Sequence, residues 1–194
     1  MAPMESYRQN YGVAVLDGMI YALGGKDSNE VERFDPQLNK WEFVASMLCN
    51  RWDPACSVMN GRIYVFGGYP SDESSFNECY DPEINAWEKV PAMQVSRTAA
   101  AATCFEGKIY ITGGIDYTTN GREQWLDSME VFDGKEWTRG PPMLSVRSDH
   151  GSLVYHRKLW VIGGDNGPTK IRDCEQFDFA SQQWTRVEVG SYRQ

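Results

Sequence analysis

A nine-residue segment that ends in a glycine pair occurs four times in this chain. The copies read DGMIYALGG at 17–25, NGRIYVFGG at 60–68, EGKIYITGG at 106–114 and HRKLWVIGG at 156–164. Successive glycine pairs are separated by 43, 46 and 50 residues, a period typical of repeat architectures such as propellers and solenoids. The chain is therefore expected to fold as a series of similar units.

Several other residue types keep register with the glycine pairs. An aromatic residue lies three positions before each pair, an arginine sixteen positions before and a methionine twenty positions before. An acidic-x-aromatic-Asp element and then a tryptophan follow each pair. The structural glycines and tryptophans of the repeat are Gly24, Gly25 and Trp41; Gly67, Gly68 and Trp87; Gly113, Gly114 and Trp137; Gly163, Gly164 and Trp184. The variation in length falls after the glycine pair, which predicts a loop there.

Each unit contains four short segments with the pattern of antiparallel strands. The first is apolar on both faces, and a two-residue turn such as Asn60-Gly61 leads into the second, which ends at the glycine pair. We expect the glycines where the backbone turns sharply or another backbone approaches. The His156-Arg157 turn lacks glycine, which predicts a longer or mildly strained fourth hairpin. No segment has a 3.6-residue apolar period, so almost no helix is expected.

Repeated four-stranded antiparallel sheets predict an all-β fold of the β-propeller class. The first two strands of each blade are expected to be covered by neighbouring blades, with the recurring aromatic residues filling the wedge between them. One domain is predicted over residues 1–194, with repeats at about 4–46, 47–92, 93–142 and 143–190. The recurring arginines could clamp an acidic peptide or pair with recurring glutamates, and their presence in every unit favours the structural role.

The order of these elements resembles the kelch repeat, with its Tyr-Asp-Pro motif intact at Tyr80-Asp81-Pro82 and varied at Phe34-Asp35-Pro36. The resemblance implies a kelch-type β-propeller array of four four-stranded antiparallel blades. Kelch propellers usually have about five to seven blades, so the array is expected to be part of a larger propeller, with a four-bladed ring as the alternative.

The net charge of the chain bears on the classes of partner that it can bind, and its cysteine content bears on its cellular compartment. The net charge is −8, which opposes nucleic-acid binding because no basic cluster is present to neutralise phosphates. No apolar run approaches the roughly 18 residues of a membrane span, and no signal peptide is visible. The five cysteines are an odd number without a C-x-x-C motif, which suits a reducing compartment. We therefore predict a cytoplasmic protein with no nucleic-acid or membrane partner.

The resemblance also implies where a partner binds. In kelch adaptors, the loops after the glycine pairs and the loops before the first strands share a face that grips a peptide. On this basis the candidate partner-binding residues are Asn10, Trp52, Asp53, Tyr69, Asp116, Tyr117, Asp149, His150 and Asn166. Trp52 and Tyr117 are the strongest candidates, because large aromatic residues on loops dominate interface energetics.

By the same resemblance, the chain is similar to the substrate-recognition part of a BTB–kelch adaptor for a cullin–RING ubiquitin ligase. It would bind a protein or peptide target without catalysis, and domains outside this chain would join the ligase complex. An actin-binding cytoskeletal protein is the alternative, and a kelch-type hydrolase or isomerase is a third hypothesis. His150 and His156 are the only histidines, and no third metal ligand of suitable spacing or phosphate-binding glycine motif accompanies them. No catalytic residue, metal or cofactor is therefore predicted.

Overall fold

The computed structural model describes residues 1–69, 77–117 and 122–187. Four sheets, each of four antiparallel strands, follow one another along the chain. Within these three ranges there is no helix, and accordingly none that could cross a membrane. The predicted all-β array of four four-stranded antiparallel blades is confirmed.

The strands follow the predicted segments closely. Blade 1 contains β1 (Gly12–Leu16), β2 (Met19–Gly25), β3 (Ser28–Asp35) and β4 (Lys40–Val44). Blade 2 contains β5 (Ala55–Met59), β6 (Arg62–Phe66), β7 (Asn77–Asp81) and β8 (Ala86–Val90). Blade 3 contains β9 (Ala101–Phe105), β10 (Lys108–Thr112), β13 (Met129–Phe132) and β14 (Trp137–Gly140). Blade 4 contains β15 (Gly151–Tyr155), β16 (Lys158–Ile162), β17 (Cys174–Asp178) and β18 (Gln183–Val187).

The loop after the third glycine pair carries two further short strands, β11 (Ile115–Asp116) and β12 (Gln124–Trp125). They pair with each other as a separate two-stranded ribbon. The sequence analysis predicted only a loop in this segment, because strands of two residues are too short to show a period in the sequence.

The first hairpin of blade 4 corrects one expectation. Tyr155 pairs with Lys158 across a turn of two residues, so the prediction of a longer hairpin is wrong. Both turn residues have positive φ, 47° at His156 and 56° at Arg157. The predicted strain is present, because residues with a Cβ atom are disfavoured in the left-handed region.

Successive blades pack through their first strands: β1 contacts β5, β5 contacts β9, and β9 contacts β15. Ala14 and Leu16 of β1 belong to one apolar cluster with Cys56 and Val58 of β5. Each first strand presents alternate residues to opposite faces, so one face meets the preceding blade and the other meets the following blade. The first strands of the four blades therefore lie next to one another, in the order in which they occur along the chain.

The expectation that neighbours cover both faces of every first strand is wrong at the two ends of the array. Val13 and Val15 of β1 are 54% and 60% exposed, and Leu153 and Tyr155 of β15 are 44% and 58% exposed. These residues lie on the outward faces of the first and last blades, where none of the described residues forms a further blade. Two apolar sheet faces are consequently open to solvent.

The glycine pairs lie where neighbouring blades approach most closely. The N–H of the second glycine donates to the carbonyl of the arginine in the following blade: Gly25 to Arg51 at 2.9 Å, Gly68 to Arg97 at 2.8 Å and Gly114 to Arg147 at 2.7 Å. At the first glycine of blade 2, Gly67, a Cβ atom would lie 2.0 Å from the Arg97 carbonyl oxygen. The predicted close approach of a second backbone is confirmed.

The recurring arginines are buried and paired. Each guanidinium contacts a buried glutamate on the third strand of its own blade: Arg8 with Glu32 at 2.9 Å, Arg51 with Glu78 at 2.8 Å, Arg97 with Glu130 at 2.9 Å, and Arg147 with Glu175 at 2.7 Å. The structural role is therefore confirmed, and these side chains are not placed to clamp an acidic peptide.

The recurring tryptophans hold the segment that enters each blade. Each indole N–H donates to a backbone carbonyl in that segment: Trp41 to Ala2 at 3.0 Å, Trp87 to Ala45 at 2.8 Å, Trp137 to Pro91 at 2.8 Å and Trp184 to Pro141 at 2.9 Å. The indole rings also pack on the aromatic residues of the third strands, as Trp87 does on Tyr80. Tryptophan satisfies both requirements because its ring is apolar and its N–H is a donor.

Candidate partner-binding site

Four equivalent residues form an arc just before the first strands. They lie two positions after each recurring arginine, and all have positive φ: Asn10, Asp53, Ala99 and Asp149. The backbone N–H of each of the last three donates to the carbonyl of its equivalent in the preceding blade: Asp53 to Asn10 at 2.8 Å, Ala99 to Asp53 at 3.0 Å and Asp149 to Ala99 at 2.9 Å. We call this set the central arc. Within the described part of the chain, no backbone hydrogen bond joins Asn10 to Asp149, so the arc is open there.

A cavity of about 440 Å³ lies beside the central arc. Its lining residues are Trp52, Asp53, Tyr69, Thr98, Ala99, Ile115, Tyr117 and Asp149. We call it the mouth cavity. Five of the nine predicted partner-binding residues line it, namely Trp52, Asp53, Tyr69, Tyr117 and Asp149.

Backbone bridges between two loops position the aromatic residues of the mouth cavity. The Trp52 N–H donates to the Tyr69 carbonyl at 3.0 Å, and the Tyr69 N–H donates to the Trp52 carbonyl at 2.8 Å. Thr98 and Ile115 exchange the same two bonds in blade 3, at 3.0 and 2.8 Å. Each bridge joins the loop before a first strand to the loop after a glycine pair. The two sets of loops therefore share one face, as the kelch resemblance implied.

The three aromatic side chains of the mouth cavity form a series of edge-to-face contacts. The Trp52 and Tyr69 rings have centroids 5.6 Å apart, and the Tyr69 and Tyr117 rings have centroids 5.9 Å apart. The Lys26 ammonium lies 5.5 Å from the centroid of the Trp52 ring. Edge-to-face contacts hold such rings in defined positions, so the Trp52, Tyr69 and Tyr117 rings form one fixed side of the mouth cavity. We call these three rings the aromatic wall.

The carboxylates of the mouth cavity lie in an unfavourable electrostatic environment. Burial raises the pKa of Asp53, and the negative charge of Asp149 raises it further, although a hydrogen bond from Asn10 acts in the opposite direction. Burial also raises the pKa of Asp149, as does the charge of Asp165, whereas the charge of Lys170 lowers it. The contributions of the neighbouring carboxylates to these shifts mean that the site disfavours a further negative charge, whereas burial opposes a charge of either sign.

A smaller cavity of about 140 Å³ shares three residues with the mouth cavity, Asp53, Ala99 and Asp149. It is completed by Tyr11, Pro54, Ala100 and His150. We call it the inner cavity.

The imidazole of His150 lies at the wall of the inner cavity. Its Nε2 atom is 2.9 Å from the Thr112 hydroxyl, whereas its Nδ1 atom is buried without a hydrogen-bond partner among the described residues. Burial, together with the charge of Arg147, lowers the pKa of His150 to about 4. The imidazole is consequently neutral at pH 7.

The other three predicted residues, Asn10, Asp116 and Asn166, do not line the mouth cavity. Asn10 reaches the mouth cavity through its side chain, which donates to the Asp53 carboxylate. Asp116 is buried on β11, and the Asn166 side chain accepts hydrogen bonds from Thr169 within its own loop. Asp116 and Asn166 line neither cavity, and their part in partner binding stays a prediction.

Sequence analysis missed three lining residues, Thr98, Ala99 and Ile115. They are small or aliphatic, so they do not have the side-chain chemistry of a binding residue. They are, however, the blade 3 equivalents of Trp52, Asp53 and Tyr69 in the repeat register. Applying the repeat register to the first candidates would have found all three.

Residues 10–193 match the family model described as the KLHDC2/KLHL20/DRC7 Kelch-repeats domain. The chain belongs to the kelch-repeat family. Kelch-like protein 26 from Homo sapiens is 40% identical to this kelch chain over 170 residues, which cover 84% of the chain and 28% of that relative. Kelch-like protein 36 from Mus musculus is 25% identical over 202 residues, which cover 96% and 32%. The kelch chain thus spans less than a third of the length of these relatives.

The solved structure of YjhT superposes on this kelch array with a TM-score of 0.85 at 16% identity, over 100% of the chain and 69% of YjhT. At this identity the likeness shows the fold alone. Kinship with the Kelch-like proteins supports a protein-binding module. In the described ranges, no group of three or more His, Cys, Asp or Glu side chains is placed to hold a metal ion.

Proposed function

We propose that this kelch chain is a non-catalytic module that captures a peptide segment of another protein at the mouth cavity. The observation that carries the proposal is the convergence of Trp52, Tyr69 and Tyr117 on one open cavity of about 440 Å³. Tryptophan and tyrosine anchors dominate the binding energy of protein interfaces when a partner covers them. Loop residues held on a rigid sheet scaffold are the usual place for such anchors.

The more specific proposal is that the module recognises substrates for a cullin–RING ubiquitin ligase, as part of a BTB–kelch adaptor. Its likeness to the Kelch-like proteins, of which it spans less than a third, supports this proposal. Other domains would then deliver the captured target for ubiquitin transfer. A cytoplasmic location is part of this proposal, and the five free cysteines support it, because free thiols suit a reducing compartment.

The inner cavity is the natural place to look for catalysis, and its geometry favours binding instead. His150, Asp53 and Asp149 line this cavity together. However, the His150 Nδ1 atom makes no hydrogen bond to a carboxylate among the described residues. A general base is normally oriented by such a contact, so this arrangement supports a non-catalytic role.

Affinity capture with matched variants tests the proposed function. The bait is the wild-type chain or a Trp52→Ala, Tyr117→Ala double variant. A Leu38→Ala, Phe43→Ala variant serves as control, because both residues are exposed and line neither cavity. Thermal melting verifies that all three baits are folded. We expect the wild type and the control to recover the same proteins and the mouth variant to lose them.

Recovery of the same proteins by the mouth variant would contradict the proposed site. Co-sedimentation of the wild-type chain with actin filaments, undiminished in the mouth variant, would favour the cytoskeletal alternative. Recovery of a ubiquitin-ligase substrate whose cellular level rises when the full-length protein is depleted would support the adaptor role.

A further inference from the structure

We infer that the mouth cavity recognises a cationic side chain, arginine or lysine, in the captured segment. This inference rests on the proposed protein-binding function and adds the chemistry of the partner. Two carboxylates, an aromatic wall and an unpartnered buried imidazole together carry it.

The first argument is uncompensated negative charge. Asp53 and Asp149 line both cavities, and among the described residues neither cavity is lined by a lysine or an arginine. The Asp53 carboxylate accepts hydrogen bonds from the neutral amide of Asn10, at 2.9 and 3.0 Å. The Asp149 carboxylate accepts none from the residues that the structure describes. Partly buried carboxylates without a cation are unfavourable, and an incoming guanidinium or ammonium group would relieve the repulsion between them.

Among the described residues, no cation forms an ion pair with Asp53 or Asp149, although the charge of Lys170 acts on Asp149 and Lys26 lies over the Trp52 ring. Lys170 pairs with Asp165 at 2.9 Å, outside the lining of both cavities. Arg97 and Arg147, which precede the arc residues by two positions, are buried against Glu130 and Glu175. A cation in direct contact with both Asp53 and Asp149 would therefore come from a partner.

The second argument is the aromatic wall. A cation within about 6 Å of a tryptophan or tyrosine face is attracted by the ring electrons. The Lys26 ammonium already lies 5.5 Å from the Trp52 ring centroid, so this surface accepts a cation within the chain itself. Tyr69 and Tyr117 continue the wall beside Asp53 and Asp149. A planar guanidinium could stack on these rings and bind a carboxylate in the same plane, which favours arginine over lysine.

The third argument is independent of the first two. His150 is buried, and its Nδ1 atom has no partner among the described residues. In the tautomer whose Nε2–H donates to Thr112, Nδ1 is a buried acceptor on a side chain that lines the inner cavity. A buried acceptor without a donor is unfavourable. An N–H group of a long cationic side chain that enters between Asp53 and Asp149 would satisfy it.

Randomised peptides with one fixed residue test the inference directly. Four pools of biotinylated heptapeptides carry arginine, lysine, leucine or glutamate at the centre and random residues elsewhere. Binding of the full chain to each immobilised pool is measured by biolayer interferometry. We expect the arginine pool to bind about tenfold more tightly than the leucine pool, with lysine between them, from one charge-assisted contact and one cation–π contact.

Two variants of the chain test whether the arginine preference depends on Asp149. Asp149→Asn keeps the size of the side chain and removes its charge, so it should reduce the arginine preference to about threefold or less. Glu83→Gln removes an exposed charge that lines neither cavity, and it should leave the preference unchanged. In the arginine peptide with the highest affinity, replacement of arginine by the uncharged isostere citrulline should weaken binding about tenfold.

Each outcome separates this inference from the proposed function. Tightest binding of the leucine or glutamate pool would overturn the inference and leave peptide capture standing. An arginine preference that survives Asp149→Asn would place the cation elsewhere and would also overturn it. If wild type binds no pool, both the inference and peptide capture at the mouth cavity are contradicted.

Discussion

The Asp53 backbone N–H donates to the Asn10 carbonyl at 2.8 Å, and the Asp53 carboxylate accepts the Asn10 side-chain amide at 2.9 and 3.0 Å. The two residues occupy equivalent positions in blades 1 and 2. The same contact therefore joins two blades and aims a carboxylate at the mouth cavity. Scaffold and binding surface therefore share residues in this fold, so a substitution at either residue should affect both stability and partner binding.

The buried ion pair of blade 2 should be important for stability. Glu78→Gln leaves the buried Arg51 guanidinium without its counter-charge, which should lower the free energy of unfolding by about 3–5 kcal/mol. Glu88→Gln is the matched control, because Glu88 pairs with Arg62 on the surface. It should change the free energy of unfolding by less than about 1 kcal/mol. Urea denaturation followed by tryptophan fluorescence measures both, and equal effects would refute the assignment.

Two glycines of blade 2 allow the effect of a positive φ on stability to be measured separately from the effect of a close backbone contact. Gly67 and Gly61 both have positive φ, 59° and 73°, but only at Gly67 would a Cβ atom meet another backbone. Gly61→Ala should lower the free energy of unfolding by about 1–2 kcal/mol, and Gly67→Ala by at least about 3 kcal/mol, because blade 3 must also move. Thermal melting of the two variants under one condition decides between this account and one based on φ alone.

His150 should make the protein less stable in acid. Its folded pKa is about 4, below the ordinary value of 6.5, so the unfolded state takes up a proton first as the pH falls. The free energy of unfolding should therefore decrease by roughly 2 kcal/mol between pH 7 and pH 5 through this residue. His150→Gln should remove that part of the decrease, whereas the exposed-site control His156→Gln should retain it. An unchanged pH profile in His150→Gln would contradict the burial of a neutral imidazole.

Two valines at equivalent positions of β1 and β5 test the packing order of the blades. Val15 is on the uncovered face of blade 1, whereas Val58 packs against the cluster shared by blades 1 and 2. Val58→Thr places a hydroxyl in that apolar cluster and should lower the free energy of unfolding by about 1–2 kcal/mol. Val15→Thr should change it by less than about 0.5 kcal/mol. Denaturant titration of the two variants would reject the packing order if Val15→Thr were the more harmful change.

The sequence predicts the scaffold well because each blade meets its neighbours in the same way. The close approach at Gly67 recurs in blades 1 and 3, and the burial of Arg51 against Glu78 recurs in all the other blades, so the residues recur as well. Repetition makes such structural requirements visible in a single sequence.

The candidate site is less visible because it depends on how different loops meet. Only the repeat register, two positions after Arg97, marks Ala99 as part of the central arc, since alanine does not favour the left-handed conformation that it adopts there. The cavity shared by His150 and Asp53 arises from residues about a hundred positions apart, in blades that are not adjacent in the array. The sequence does show that Trp52 and Tyr117 are large aromatic residues on loops, and that was enough to find the mouth cavity.

Site-specific photo-cross-linking tests the central claim most directly, namely that a partner binds at the mouth cavity. The chain carries p-benzoylphenylalanine in place of Tyr69, which lines this cavity, or in place of Phe43, which is exposed on β4. After irradiation with a captured partner, we predict a cross-link from position 69 to one defined segment of the partner and none from position 43. A cross-link from position 43 alone, or an equal yield from both positions, would contradict the account.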